Sequence, residues 1–101
     1  MFKLNAVQVR HYELENPDDG TTLHIKPPSL ETLEMFNKVF STGNTSPKDA
    51  AGIMATILSN NEENLKISAR TVMRWCNMDT MSALVEDFLG WVNDTKKSNP
   101  N

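Results

Sequence analysis

Residues 23–30, Leu-His-Ile-Lys-Pro-Pro-Ser-Leu, contain the point at which the sequence changes from a β pattern to a helical pattern. Before this point, Leu23 and Ile25 alternate with polar residues, which is typical of a strand that buries one face. The two prolines cannot donate backbone hydrogen bonds, so they end the strand. Ser29 is a suitable N-cap, because its hydroxyl can accept a hydrogen bond from a free N–H of the first helical turn. The segment therefore predicts a strand followed directly by a helix.

A β-hairpin is predicted upstream of this point. Val7 and Val9 alternate with polar residues, and the run Asn-Pro-Asp-Asp-Gly at 16–20 is rich in turn-forming residues. We predict a register that places Val9 opposite Ile25. The side chains that would then share one face are Val7, Val9, His11, Leu23 and Ile25. An apolar face on two strands is not stable alone, so we expect the hairpin to pack on a helix.

Four helices are predicted after the hairpin from apolar residues at three- and four-residue spacing. The second has the strongest start, with Ser46 as N-cap and Pro47 at the first helical position. Ser68 and Asp79 are the predicted caps of the third and fourth. The apolar stripes, in chain order, are Leu30, Leu33, Phe36, Val39 and Phe40; Ala50, Ile53, Met54, Ile57 and Leu58; Val72, Met73 and Cys76; and Met81, Leu84, Val85, Phe88, Leu89 and Val92.

Length and composition are those of one small globular domain. The chain has 101 residues, of which 39% are hydrophobic and 23% charged. The predicted fold class is α+β, an N-terminal hairpin followed by a bundle of about four helices over residues 1–92. Residues 93–101 lack apolar side chains and are predicted to be a disordered tail. No apolar run approaches the ~20 residues that span a bilayer, and the N-terminus lacks the apolar centre of a signal peptide. We therefore expect a cytoplasmic protein without a membrane partner.

The sequence predicts no catalytic residue, metal site or cofactor. Cys76 is the only cysteine, so the chain has no internal disulfide, and its apolar neighbours favour a structural thiol. In the predicted register the only two histidines, His11 and His24, point to different faces. A slip of one residue would instead place them opposite each other beside Glu13, where they could hold a metal. The glycines are too far apart to form a phosphate-binding loop. We expect that the chain is not an enzyme.

Basic residues on the third helix are candidates for partner binding. Lys66, Arg70 and Arg74 are four residues apart, so a helix extending back to Lys66 would carry a basic stripe. Trp75 lies beside this stripe, and such a combination can hold nucleic acid. The net charge of −3 argues against that partner, and the 59–67 segment is too long for a helix-turn-helix. A solvated helix face and an acidic protein partner remain the alternatives.

Other candidate residues lie off the apolar stripes. Trp91 and Met35 are each covered either by another helix of the same fold or by a partner. Glu31 and Glu34 on the first helix could face the basic residues of the third in a head-to-tail self-association. The predicted partner-binding residues are Arg70, Arg74, Trp75, Trp91, Glu31, Glu34 and Met35.

The order of these features resembles the tail assembly chaperones of long-tailed bacteriophages and prophages. In that family a short β element precedes a helical bundle. The likeness extends over residues 5–92. The segments that carry it are residues 23–30, the helix at 31–40, the alanine-rich helix at 49–58, and the closing segments 72–75, Val-Met-Arg-Trp, and 81–91, Met-Ser-Ala-Leu-Val-Glu-Asp-Phe-Leu-Gly-Trp.

The resemblance implies a role in virion tail morphogenesis. Such chaperones coat the tape measure protein, keep it soluble and bring tail tube subunits to it, and they are not enzymes. In many members a −1 ribosomal frameshift adds a second domain, and Lys96-Lys97 could be encoded by a suitable A-rich stretch. The alternative is a cytoplasmic helical adaptor or regulator that binds protein or nucleic acid.

Overall fold

The described part of the chain contains a two-stranded antiparallel hairpin followed by four α-helices, so the predicted α+β class is confirmed. The strands are β1 (Tyr12–Glu15) and β2 (Thr22–Ile25), and the helices are α1 (Leu30–Ser41), α2 (Pro47–Leu58), α3 (Ala69–Trp75) and α4 (Met78–Asn93). A computed structural model describes residues 1–41, 43 and 45–94. Asn93 still belongs to α4 and Asp94 is the C-cap of that helix, whereas residues 95–101 of the predicted tail lie outside the described residues. None of the described helices is long and apolar enough to cross a membrane.

The turn at 16–20 closes the hairpin as predicted. The Asn16 N–H donates to the Thr21 carbonyl at 2.7 Å, and the Gly20 N–H donates to the Asn16 carbonyl at 2.8 Å. The Asn16 side chain accepts a hydrogen bond from the Asp18 N–H at 2.9 Å. Gly20 has a φ of +77°, which glycine adopts without the steric cost that a Cβ would bring. These local bonds explain why the turn could be predicted from the sequence alone.

The predicted strand register is wrong. Ile25 pairs with Tyr12 rather than with Val9, and Val7 and Val9 lie outside the strand with about half of their surface exposed. Tyr12 is favoured opposite Ile25 because its ring buries more apolar surface than a valine side chain does. In addition, its hydroxyl donates a hydrogen bond to Asp87. The inward face of the hairpin therefore consists of Tyr12, Leu14, Leu23 and Ile25.

Helix α2 is the central element of the core. Seven of its twelve residues are buried, so the helix is covered on most sides and contacts both α1 and α3. Its start matches the prediction, because the Ser46 hydroxyl accepts a hydrogen bond from the Asp49 N–H and Pro47 is the first helical residue. The other three helices, α1, α3 and α4, each contribute one fully buried side chain to the core. These side chains are Phe36, Val72 and Phe88.

The helix caps agree with the predictions except at α4. Ser29 and Ser68 accept the expected hydrogen bonds at the starts of α1 and α3. The N-cap of α4 is Asn77 rather than Asp79, because Asn77 and Thr80 form a reciprocal capping box with both bonds at 2.8 Å. Asp79 lies instead in the first turn, where its negative charge is favourable near the positive end of the helix.

Two members of the predicted apolar stripes are exposed. Leu30 is 84% exposed because it is the first residue of α1, and helical side chains lean toward the N-terminus, past the packed turns. Met73 is about half exposed, since the short helix α3 buries only the face centred on Val72. The remaining stripe residues are buried or pack against the core, except that Leu33 is half-buried.

Candidate partner-binding surfaces

The first nine residues carry apolar side chains that the folded domain leaves uncovered; we call them the N-terminal apolar segment. A short 3-10 turn at Leu4–Ala6 orders part of it, but no residue of the segment belongs to a strand. Phe2 and Leu4 are 78% and 81% exposed. The exposed apolar side chains are Met1, Phe2, Leu4, Val7 and Val9. Such a concentration of exposed apolar surface is typical of an interaction site.

Arg10 attaches this segment to the end of α4. Its guanidinium carbon lies 4.3 Å from the centre of the Trp91 ring, which is a cation–π contact. The same guanidinium donates a hydrogen bond to the Trp91 carbonyl at 2.9 Å. Trp91 also packs against Tyr12 and Phe88, with ring centres 5.6 Å and 5.8 Å away. Trp91 therefore joins the edge of the core to Arg10, the residue that follows the N-terminal apolar segment.

An open groove of about 540 Å³ lies between β1 and the last turns of α4; we call it the acidic groove. Tyr12 and Trp91 supply its aromatic part, and the Tyr12 hydroxyl donates a hydrogen bond of 2.6 Å to Asp87. Burial and this hydrogen bond raise the pKa of Tyr12, which keeps the hydroxyl a proton donor. The lining residues are His11, Tyr12, Glu13, Glu86, Asp87, Gly90, Trp91 and Asp94.

His11 lines this groove and belongs to a histidine–glutamate cluster, which consists of His11, His24, Glu13, Glu62 and Glu63. His11 contacts Glu62 at 2.8 Å and His24 contacts Glu63 at 2.7 Å. The two rings are perpendicular, with centres 6.2 Å apart. The expectation that the histidines point to different faces is therefore wrong, because the observed register places both on the outer side of the hairpin. No group of three potential metal ligands in the described residues has a geometry that could hold an ion.

The ion pair of His24 and Glu63 should stabilise the fold mainly in mildly acidic solution. The hydrogen bond to Glu63 raises the pKa of His24 above 6.5, and the neighbouring glutamates add to this effect. The His24 backbone N–H and ring lower the pKa of Glu63 below 4.5. The pair is fully charged between these two ordinary values. Its stabilisation is lost as the pH rises through the raised pKa of His24 or falls through the lowered pKa of Glu63.

Replacing Glu63 with glutamine should therefore lower the thermal midpoint of unfolding at about pH 5.5 and have a smaller effect at about pH 8.5. Circular dichroism at both pH values measures this difference. Glu15→Gln is the matched control, because Glu15 is an exposed residue on the same hairpin without a histidine contact. An equal decrease at both pH values would show that the 2.9 Å bond from the His24 backbone N–H to Glu63 matters more than the charge.

The basic stripe predicted on α3 does not form. Lys66 lies in the connection before α3 begins, and Arg74 makes two hydrogen bonds of 2.9 Å to Asp18 in the hairpin turn. The bond from Arg74 lowers the pKa of Asp18. Arg70 is exposed. Arg74 is therefore engaged in holding the hairpin turn against α3, which weakens the case for a nucleic-acid surface.

Trp75 is half-buried and packs against the core. Its indole N–H is buried without a hydrogen-bond partner of ordinary geometry among the described residues. The group still lies close enough to Asp18 to contribute to the lowered pKa of that carboxyl. Trp75 therefore packs mainly within the domain, which leaves less of its ring for contact with a partner.

The predicted partner-binding residues do not form one surface. Glu31, Glu34 and Met35 are exposed on α1, whereas Trp91 lines the acidic groove. Sequence reasoning missed this groove, although a signal for it exists on α4. The α4 residues that line the groove have the three- and four-residue spacing of one helix face. They are residues 86, 87, 90, 91 and 94.

Comparison with known proteins returns no relative. No protein-family model matches the chain, and neither a curated protein nor a solved structure matches it.

Proposed function

We propose that this chain is a phage tail assembly chaperone that binds the tape measure protein and tail tube subunits in the host cytoplasm. The observation that carries the proposal is the N-terminal apolar segment, whose side chains protrude from an otherwise well-packed domain. The order of a short β element and a helical bundle, on which the resemblance to these chaperones depends, supports it further.

The chemistry of the exposed side chains suits an amphipathic helical partner. A tape measure protein presents long helical segments, and an apolar stripe on such a helix would pack on Phe2 and Leu4. Burial of a phenylalanine or leucine side chain contributes roughly 1.5–3 kcal/mol each, enough for a few such contacts to hold a segment. Met35, Met73 and Met78 are exposed on the helices and offer flexible side chains that adapt to varied partners.

Co-expression with the tape measure protein of the same phage or prophage tests the proposal. We expect the wild-type chain to keep that protein soluble and to co-purify with it, and the double variant Phe2→Ser and Leu4→Ser to lose most of the co-purified protein. Leu30→Ser is the matched control, since Leu30 is equally exposed but lies on α1. If the wild-type chain leaves the tape measure protein insoluble, the proposed function is wrong. If the double variant binds as well as wild type, the N-terminal apolar segment is not the binding surface.

A further inference from the structure

The outer edge of β1 is open, whereas that of β2 is covered. The Lys26 N–H donates to the Asn60 carbonyl at 2.7 Å, and the Glu62 N–H donates to the His24 carbonyl at 2.9 Å. These bonds to the 60–62 segment occupy the outer edge of β2, so no further strand can pair there. The sheet has two strands, and none of the described residues pairs with the other side of β1. An unpaired edge of this kind is a template for a further strand.

The backbone groups available on this edge belong to Glu13 and Glu15. In an antiparallel pair, successive residues bond alternately toward and away from the partner strand. Asn16 bonds inward to Thr21, and His24, opposite Glu13, bonds outward to the 60–62 segment. The N–H and C=O groups of Glu13 and Glu15 therefore point away from β2, toward a strand that could lie alongside.

The negative charge around the β1 edge indicates which kind of partner would bind there. Of the residues that line the acidic groove, Glu13, Glu86, Asp87 and Asp94 carry carboxylates, and none is a lysine or an arginine. Asp87 binds the Tyr12 hydroxyl, while Glu86 and Asp94 make no ion pair with another described residue. These charges repel a second copy of the same edge and attract a cationic segment.

Arg10 shows how a cation fits at one end of the groove. Its guanidinium lies over the Trp91 ring and bonds to the Trp91 carbonyl, so the aromatic wall accepts a positive charge within the chain itself. One arginine does not balance the four carboxylates, and the groove keeps its negative character.

We infer that the β1 edge and the acidic groove together bind an extended segment of a partner protein that carries lysine or arginine. The partner backbone pairs with Glu13 and Glu15, and its alternate side chains reach the carboxylates of α4. This inference goes beyond the proposed function, because it uses a different surface and holds whether or not the partner is a tail protein.

A short acetylated and amidated peptide that alternates lysine with valine is a suitable probe. We expect saturable binding to the full chain at low salt, measured by calorimetry, with affinity that falls as salt is added. The double variant Glu86→Gln and Asp94→Asn should weaken binding at least about tenfold, which corresponds to about 1.4 kcal/mol. Glu31→Gln with Glu34→Gln removes the same charge from α1 and should leave the affinity unchanged.

Two further reagents separate strand addition from simple charge attraction. A peptide of the same charge with N-methylated backbone amides cannot donate to the β1 edge, and we expect it to bind at least about tenfold more weakly. Gly90→Lys places a cation inside the groove and should also block the probe. Gly90→Ala is its control, because a Cβ at this position meets no atom within 4 Å.

Three results would overturn the inference: no binding of the probe at low salt, unchanged affinity in the Glu86 and Asp94 double variant, or equal binding of the N-methylated peptide. The chaperone proposal is tested separately. The Phe2 and Leu4 double variant should bind the probe as wild type does, and failure of the probe would not affect the co-expression result.

Discussion

Replacing Phe88 with alanine should lower the free energy of unfolding by about 3–5 kcal/mol, which makes it one of the most damaging substitutions in the chain. The Phe88 ring is fully buried. Its centre lies 5.5 Å from the centre of the Tyr12 ring and 5.9 Å from that of the Phe36 ring. It therefore joins α4 to both the hairpin and α1. Domains of this size have a total stability of about 5–15 kcal/mol, so this single substitution should remove a large share of the stability.

Urea unfolding followed by circular dichroism measures the loss. Met78→Ala is the matched control, because Met78 lies on the same helix with 86% of its surface exposed. We expect this control to change the free energy of unfolding by less than about 0.5 kcal/mol. A loss below about 1 kcal/mol for Phe88→Ala would contradict the packing of α4 against the hairpin and α1.

The features that the sequence predicted well are those determined by residues close together in the chain. Ser46 and Pro47 set the start of α2 within one turn, and the run at 16–20 closes its own turn with local hydrogen bonds. The periodic stripes of α2 and α4 likewise depend on spacing within one helix. Local signals of this kind act before the rest of the fold is specified, which is why a single sequence reveals them.

The register of the hairpin could not be predicted because its decisive partners are distant. Tyr12 occupies the position opposite Ile25 in contact with Phe88 and with Asp87, which is 75 residues away along the chain. From the strand pattern alone, the alternating valines looked equally suitable. The choice between the two registers is made by tertiary packing, which the period-two pattern does not encode.

The candidate surfaces were hidden from sequence analysis for the same reason. The acidic face of α4 can be recognised from spacing, but the strand that lies beside it cannot. The basic residues of α3 suggested a binding stripe, yet Arg74 turned out to be engaged by Asp18, 56 residues earlier. Arg10 also gave no signal, since its contact with Trp91 joins the two ends of the described chain. A charged side chain in a sequence shows what it could bind, whereas only the fold shows whether that capacity is already used.

Asn61 is a further case in which a polar residue has a structural role that its sequence context hides. Residues 60–64 are all polar, which is typical of an exposed loop, yet the Asn61 side chain is 3% exposed. Its amide nitrogen donates to the carbonyls of Leu58 and Leu65 at 2.7 Å and 2.8 Å, and its amide oxygen accepts from the Leu65 N–H at 2.8 Å. Asn61 also forms an isolated bridge with Ile25. One side chain thus closes the loop that covers the edge of β2.

We therefore expect Asn61→Ala to lower the free energy of unfolding by about 2–3 kcal/mol, because each buried group left without a hydrogen bond costs about 1–3 kcal/mol. Asn61→Asp should be at least as damaging at neutral pH, since a carboxylate keeps the acceptor but faces two carbonyl oxygens. Asn60→Ala is the control, because the Asn60 side chain is exposed. The hydrogen bond from the Lys26 N–H to the backbone carbonyl of residue 60 would remain in this variant. Urea unfolding of the three variants measures these differences. If Asn61→Ala matched the Asn60 control, the loop would be held by its backbone alone, and the Asn61 side chain would have no structural role.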